Sequence, residues 1–188
     1  MPSPITILGI CGSLRKGSFN RQMLVAAQKL VPQDAQIEIF DLHEIPIFNQ
    51  DFETTPPPPV IEFKKRIRAA DAILFATPEY NYSVPGILKN AIDWASRPFG
   101  DSAWNGKPVA VMSAAGGLFG GVRAQYHLMQ SFIFLNMHSV VQPEVAMGKA
   151  AEKFDAQGNL TDETSKKLIA QKLENLAKWT RQISNPQR

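Results

Sequence analysis

The sequence predicts an α/β protein, a doubly wound sandwich in which a parallel sheet carries helices on both faces. Five apolar runs with the length of strands alternate along the chain with five stretches that have the length and pattern of helices. Consecutive parallel strands need such long return paths, so this alternation favours parallel pairing. Polar or glycine-bearing segments directly follow three of the apolar runs, as expected where loops gather at the carboxyl ends of parallel strands.

The strands are predicted from apolar runs at residues 5–10, 37–40, 72–76, 109–113 and near 140–147. The first and third runs are almost wholly apolar, which is typical of central strands that are covered on both faces. The second run is more polar. It is therefore expected near an edge of the sheet.

Helices are predicted between and after these runs, at residues 20–30, 60–70, 85–95, 121–135 and 162–183. Apolar residues of the last helix recur at three-, four- and seven-residue spacings, which gives it one apolar face for the sheet, and Trp179 near that face is expected in the core. Four consecutive prolines, Pro56 to Pro59, predict a stiff extended connection to a helix that begins after Pro59. A ligand for a proline-recognition domain is the alternative interpretation of the prolines.

The composition is that of a soluble globular protein, with 188 residues of which 44% are hydrophobic and 20% charged, and one domain over residues 1–188 is expected. No apolar run approaches the roughly 20 residues of a membrane span, and no basic flank precedes the first one, so a cytoplasmic location without a membrane partner is expected. The net charge is +3, and its cations lack aromatic interleaving, which argues against a nucleic-acid partner. A modest positive charge favours phosphorylated small molecules.

Cys11 is the only cysteine, which excludes an intramolecular disulfide and a multi-thiolate zinc site. A small buried hydrophobic residue is expected at this position, and a reactive thiol beside Arg15 and Lys16 is the alternative. The histidines are far apart in the sequence, so no metal site is predicted.

Residues 12–20, the first loop, follow the first apolar run and lead into a helix. Ser13, Ser18 and Asn20 can donate side-chain hydrogen bonds, Arg15 adds charge, and backbone N–H groups are free at a helix start. The loop fits neither G-x-x-x-x-G-K-[ST] nor G-x-G-x-x-G, so it suits a phosphomonoester better than a triphosphate or a dinucleotide. A capped helix with a polar entry loop would give a similar pattern.

Residues 77–86, the second loop, follow the third strand and combine flat side chains, rigid prolines and backbone amides. This combination suits the edge of a planar heterocycle, and the loop would share a cleft with the first loop if the two strands are neighbours. An ordinary turn in which Pro85 opens the next helix is the alternative.

Residues 114–121, the third loop, follow the fourth strand and contain four glycines within six residues. Glycines let the backbone approach a ligand without intervening side chains, although flexibility alone would also explain them. Three such loops at strand ends are harder to attribute to coincidence than any one of them.

Together these segments resemble the NAD(P)H-dependent FMN reductase family, the flavodoxin-like group that includes quinone and chromate reductases. The resemblance extends over roughly residues 5–147. It rests on Gly12-Ser13-Leu14-Arg15 with Ser18 and Asn20, on Pro78-Glu79-Tyr80-Asn81 continuing through Ser83, Pro85, Gly86, Lys89, Asn90, Asp93 and Trp94, on Gly106-Lys107-Pro108, and on Gly120-Gly121-Val122-Arg123-Ala124-Gln125.

The resemblance implies a flavodoxin-like fold with a five-stranded parallel sheet in the order 2-1-3-4-5, with FMN as cofactor and NAD(P)H as co-substrate. Residues matching the family's FMN-phosphate loop are Ser13, Arg15, Ser18 and Asn20. Residues matching the stretch along the isoalloxazine ring are Pro78, Glu79, Tyr80 and Asn81. Ser113, Gly116 and Gly117 belong to the third loop, where the family also approaches the flavin.

The function that follows from the resemblance is hydride transfer from NAD(P)H through bound FMN to quinones, free flavin or similar small-molecule acceptors, in alternating (ping-pong) turnover. No catalytic side chain is expected, because the chemistry belongs to the flavin. A flavodoxin-like FMN electron carrier without an NAD(P)H site is the alternative, although such carriers are usually acidic. A domain that binds no FMN is a further alternative, but the presence of the three loops at strand ends would then be a coincidence.

A homodimer or homotetramer is expected from the resemblance. It is also expected because two helices have more apolar side chains than the sheet can bury. The apolar residues concerned are Ile87, Leu88, Ile92, Trp94, Phe132 and Phe134. Arg123, Tyr126 and Glu144 are polar candidates for the subunit contact, with local pairing as the alternative.

Overall fold

The computed structural model describes residues 4–184 and contains a five-stranded parallel sheet. Its strands are β1 (Ile5–Cys11), β2 (Ala35–Phe40), β3 (Ala72–Thr77), β4 (Pro108–Ala114) and β5 (His138–Met147). They are arranged in the order β2-β1-β3-β4-β5, and every neighbouring pair is parallel. The fold class and strand order predicted from the sequence are confirmed, as is the edge position of β2.

The helices lie in the connections between the strands and after the last one. They are α1 (Phe19–Leu30), α2 (Pro58–Ala69), α3 (Gly86–Ala95), α4 (Val122–Phe134) and α5 (Glu163–Ser184). Two short 3-10 turns, Gln50–Phe52 and Ala150–Glu152, were not predicted, because three-residue turns have no periodicity to detect. Within the described residues, none of the helices is both long and apolar enough to cross a membrane.

Alternating side chains of the strands divide the core into two layers. On one face, Leu8 of β1 and Phe75 of β3 pack with α2, α3 and α4. On the other face, Ile7 of β1 and Leu74 of β3 pack with α1 and α5. Helices therefore cover both faces of the sheet, which explains why β1 and β3 are almost continuously apolar.

Two local predictions were wrong. The second helix begins at Pro58 and not after Pro59, because proline lacks only an N–H group that the first helical turn would leave unpaired. Trp179 is 38% exposed and not in the core, because the buried face of α5 runs through Ile169, Leu173 and Leu176.

The apolar residues that were expected to remain available for a subunit contact are mostly buried in this chain's own core. Leu88, Ile92, Trp94 and Phe132 are at most 3% exposed, whereas Phe134 is 74% exposed. The polar candidates for a subunit contact have partners within this chain, which is the local pairing given above as the alternative. The Tyr126 hydroxyl donates to Glu144 (2.8 Å), and Arg123 pairs with Glu79.

Candidate functional site

A cavity of about 210 Å³ opens where the first, second and third loops meet at the carboxyl edge of the sheet. The loops meet there because β1 pairs with β3 and β3 pairs with β4. Larger cavities of about 420 and 450 Å³ lie around the segment after α3, away from these three loops. The position of the smaller cavity is the one at which open parallel sheets bind ligands.

Most of the sequence-predicted site residues line this cavity. Those that do are Ser13, Arg15, Ser18, Asn20, Pro78, Glu79, Tyr80 and Gly116. Asn81, Ser113 and Gly117 do not line it. Phe19, Ala114 and Ala115 also line the cavity and were missed, because apolar side chains beside a polar loop carry no chemical signal in the sequence.

The start of α1 provides donors at the first loop. Ser18 is the N-cap, and its hydroxyl accepts from the Arg21 N–H (3.4 Å). Within residues 4–184, the backbone N–H groups of Phe19 and Asn20 donate to no acceptor. Free N–H groups at the positive end of a helix dipole favour an anion at this point.

Two side chains add to these donors. Ser13 is buried, and its hydroxyl lies 3.5 Å from the Tyr80 hydroxyl of the second loop. Arg15 is exposed, with its guanidinium 5.4 Å from the centre of the Phe19 ring. A cation, hydroxyl groups and free backbone donors therefore face the same cavity.

Asn20 joins the first loop to the end of β4. Its Nδ2 donates to the Ala114 carbonyl and its Oδ1 accepts from the Ala114 N–H, both at 2.9 Å, and the residue is 3% exposed. The side-chain amide thus pairs with both backbone groups of Ala114. Asn20 fixes the distance between the first and third loops, a role the sequence did not reveal because the partner lies 94 positions away.

Ser113 shapes the third loop from inside the protein. Its hydroxyl donates to the Gly120 carbonyl and accepts from Gln125 Nε2, both at 2.6 Å, and the Gln125 amide also donates to the Val145 carbonyl (2.9 Å). Direct contact between Ser113 and a cofactor stays a prediction. Gln125 was missed as a site-shaping residue, although it lies in the Gly120–Gln125 motif that carried the family resemblance.

The second loop turns sharply beyond the cavity. Tyr80 and Ser83 exchange backbone hydrogen bonds (3.2 and 3.0 Å), and Asn81 and Tyr82 have positive φ angles of 51° and 65°. Two consecutive left-handed residues are typical of a tight type I′ turn. The turn leaves Tyr80 at the cavity rim and Asn81 outside the lining.

Glu79 caps α4 from the second loop. Its carboxylate accepts from the backbone N–H groups of Arg123 (3.0 Å) and Ala124 (3.3 Å) and forms an ion pair with the Arg123 guanidinium. The N-cap residue itself, Gly121, has no side chain that could do this. Burial acts to raise the pKa of Glu79, but Arg123 and the backbone donors together outweigh it and hold the pKa below its usual 4.5.

The lowered pKa of Glu79 predicts a pH-dependent contribution to stability. The contribution is complete above the ordinary pKa of 4.5 and is lost as the pH falls through the lower value of the folded state. Glu79→Gln is therefore expected to lower the free energy of unfolding by about 1–3 kcal/mol near neutral pH and by less near pH 3. Urea unfolding of the flavin-free proteins across this range measures the difference.

The control for this prediction is Glu163→Gln, at an exposed ion pair with Lys166 on α5. It is expected to change the free energy of unfolding by less than about 0.5 kcal/mol throughout. A cost of Glu79→Gln that stays constant from pH 7 to pH 3 would contradict the assignment.

Cys11 lies beneath the first loop. It is 4% exposed, and its Sγ donates to the Ser13 carbonyl (3.5 Å). Burial raises the pKa of the thiol, which favours the neutral form. The expectation of a small buried hydrophobic residue is confirmed.

The sequence of this chain matches one family model and the sequences of several known proteins. The family model described as NADPH-dependent FMN reductase matches residues 5–152. A Pseudomonas aeruginosa protein named NAD(P)H-dependent FMN reductase is 50% identical over 97% of this chain and 99% of its own length. A Pseudomonas putida protein named quinone reductase is 42% identical over 96% of this chain and 97% of its own.

Among solved structures, this chain is similar to FerB from Paracoccus denitrificans, described as a flavoenzyme NAD(P)H:(acceptor) oxidoreductase. The TM-score is 0.87 at 35% sequence identity, with 95% of this chain and 98% of the other covered. The likeness thus extends over nearly the whole of both proteins.

Proposed function

The chain belongs to the NADPH-dependent FMN reductase family, and we propose that the cavity at the carboxyl edge of its sheet holds the FMN. The protein is an oxidoreductase that takes electrons from NAD(P)H and passes them to quinones or flavins. This agrees with the function predicted from the sequence. The relatives are named as reductases, so they do not support the electron-carrier alternative.

The observation that carries the placement of FMN is the pair of free N–H groups at Phe19 and Asn20 beside Ser13, Ser18 and Arg15. A phosphomonoester has enough oxygens to accept from all of these donors at once, and its charge is favoured at the start of a helix. The residues present therefore fit the phosphate end of FMN.

The lining from the second and third loops suits the ring system. Pro78 and Tyr80 contribute flat or rigid side chains to it, and Gly116 contributes backbone. A Cβ atom at Gly116 would have no neighbour within 4 Å, so this glycine leaves open space beside the cavity. Asn81, Ser113 and Gly117 complete the proposed set, in positions that shape the second and third loops.

The chain's residues bind and orient in this mechanism, and none of them needs to move a proton. The chemistry that bound FMN supplies is two-electron transfer from NAD(P)H to the acceptor. Tyr80 lines the cavity and is 51% exposed, so it borders the space in which NAD(P)H and the acceptor would alternate. Asn20 holds the first and third loops together around the cavity.

Oligomeric state and location complete the proposal. Exposed aromatic and aliphatic side chains at Phe99, Ile133 and Phe134 support the sequence-based expectation of a homodimer or homotetramer. The use of NAD(P)H supports the expected cytoplasmic location.

The function is tested by mixing the FMN-loaded protein with NADH or NADPH without oxygen. The expected result is loss of the absorbance of oxidised flavin, and its recovery when a benzoquinone is added. Absorbance unchanged by either nucleotide would refute the reductase function.

Arg15→Ala is expected to weaken FMN binding by about 1–3 kcal/mol, since a charged hydrogen bond to the phosphate would be lost. Titration of the flavin-free protein with FMN, followed by flavin fluorescence, measures the change. Lys16→Ala is the matched control, because Lys16 is a neighbouring exposed cation that does not line the cavity. Equal losses in the two variants would show that only general positive charge matters.

A further inference from the structure

One ion pair connects the second loop to the start of α4 at the wall of the cavity. The Glu79 side chain is 12% exposed and the Arg123 side chain 28% exposed. The Arg123 guanidinium lies 3.7 Å from the centre of the Tyr82 ring and 4.8 Å from that of Phe119. Two aromatic rings from two different loops thus hold the cation in place beside Glu79.

The pair has an electrostatic consequence for anything held in the cavity. Glu79 lines the cavity, so its negative charge would oppose further negative charge there. Arg123 compensates this charge at contact distance, and in a partly buried site the compensation is screened less than it would be in water. Removing either partner would leave the cavity wall with one uncompensated charge.

We propose that the Glu79–Arg123 pair sets the reduction potential of the bound FMN, by keeping the wall beside the second loop electrically neutral. This inference rests on the proposed function, because it requires FMN in the cavity. Reduction adds electrons to the flavin, so an uncompensated cation nearby favours the reduced form and an uncompensated carboxylate disfavours it. The two residues act through the field in the cavity and are positioning residues, not catalytic ones.

The charges can be changed without removing the architecture. A glutamine at position 79 retains an oxygen that can accept from the Arg123 and Ala124 N–H groups, so the cap of α4 can persist. A glutamine at position 123 keeps the backbone donor to Glu79 and removes the cation, together with its contacts to the Tyr82 and Phe119 rings. The two substitutions therefore leave wall charges of opposite sign.

The test is the midpoint potential of bound FMN, measured by equilibration with reference dyes in wild type, Glu79→Gln, Arg123→Gln and the double variant. We expect the potential to rise in Glu79→Gln, to fall in Arg123→Gln and to return close to wild type in the double variant. The ratio of affinities for reduced and oxidised FMN should change in the same directions, on the order of tenfold in each single variant. A purely structural role would not produce shifts of opposite sign.

Glu38→Gln is the control, because Glu38 pairs with Arg66 between β2 and α2 and does not line the cavity. It is expected to leave the potential unchanged. Single variants that shift in the same direction, or not at all, would overturn the proposal. If Glu79→Gln does not fold, Arg123→Gln decides alone, and an unchanged or higher potential overturns it. A wild-type protein that binds no FMN would instead refute the placement of the cofactor.

Discussion

Asn20→Ala is expected to lower the free energy of unfolding by about 2–5 kcal/mol, because the buried N–H and carbonyl groups of Ala114 would each lose their partner. FMN binding should weaken as well, since the first and third loops would no longer be fixed to one another. Denaturant unfolding of the flavin-free protein measures the first effect, and titration with FMN measures the second.

The control for Asn20→Ala is Asn175→Ala on α5, which removes one solvent-exposed hydrogen bond from the Asn175 side chain to the Gln142 carbonyl (3.0 Å). We expect it to cost less than about 1 kcal/mol and to leave FMN affinity unchanged. If the Asn20→Ala protein were as stable as the Asn175→Ala protein, this would contradict the conclusion that Asn20 holds the first and third loops together.

Gly120→Ala is expected to cost about 2–4 kcal/mol, for two reasons that act together. Gly120 has a φ of +61°, which disfavours an L side chain. A Cβ atom there would also lie 2.5 Å from the Ala146 carbonyl carbon and 2.7 Å from the Met147 nitrogen, both backbone atoms. The third loop would have to move away from β5, so FMN affinity should fall with stability.

The matched glycine is Gly86 at the start of α3, where an added Cβ would meet nothing within 4 Å. Gly86→Ala is expected to be neutral or stabilising, because alanine has less conformational freedom to lose than glycine. Thermal unfolding of the two variants side by side measures the contrast. Equal melting temperatures for Gly120→Ala and Gly86→Ala would contradict the account of the third loop.

The fold was predictable because its signals are local and repeated. Apolar runs of strand length alternate with amphipathic helices, and the continuous burial of β1 and β3 appears directly in their composition. Errors arose where one residue departs from its pattern. Pro58 fits the first turn of a helix, and Trp179 lies beside the buried face of α5 and not within it.

Most of the residues that line the cavity could be predicted from the sequence, but their contacts could not. The sequence identifies Asn20, Glu79 and Ser113 as polar residues at strand ends, where a ligand is expected. Their partners depend on the tertiary structure: Ala114 for Asn20, the start of α4 for Glu79, and Gln125 with Gly120 for Ser113. All three side chains therefore organise the loops of the cavity with their own hydrogen bonds.

The positive φ angles of Asn81 and Tyr82 were also hidden from the sequence. Asparagine tolerates the left-handed region, but tyrosine gives no such signal, and only the backbone exchange between Tyr80 and Ser83 reveals the turn. Of the two tyrosines in this turn, Tyr80 lines the cavity, and Tyr82 lies against the Arg123 guanidinium.

The most direct test of the central claim, that the first loop holds the phosphate of FMN, compares FMN with riboflavin, which lacks the phosphate. Calorimetric titration of the flavin-free protein should show FMN bound about 100-fold or more tightly, and the preference should shrink in Arg15→Ala. Equal affinities for the two flavins in the wild-type protein would contradict the claim.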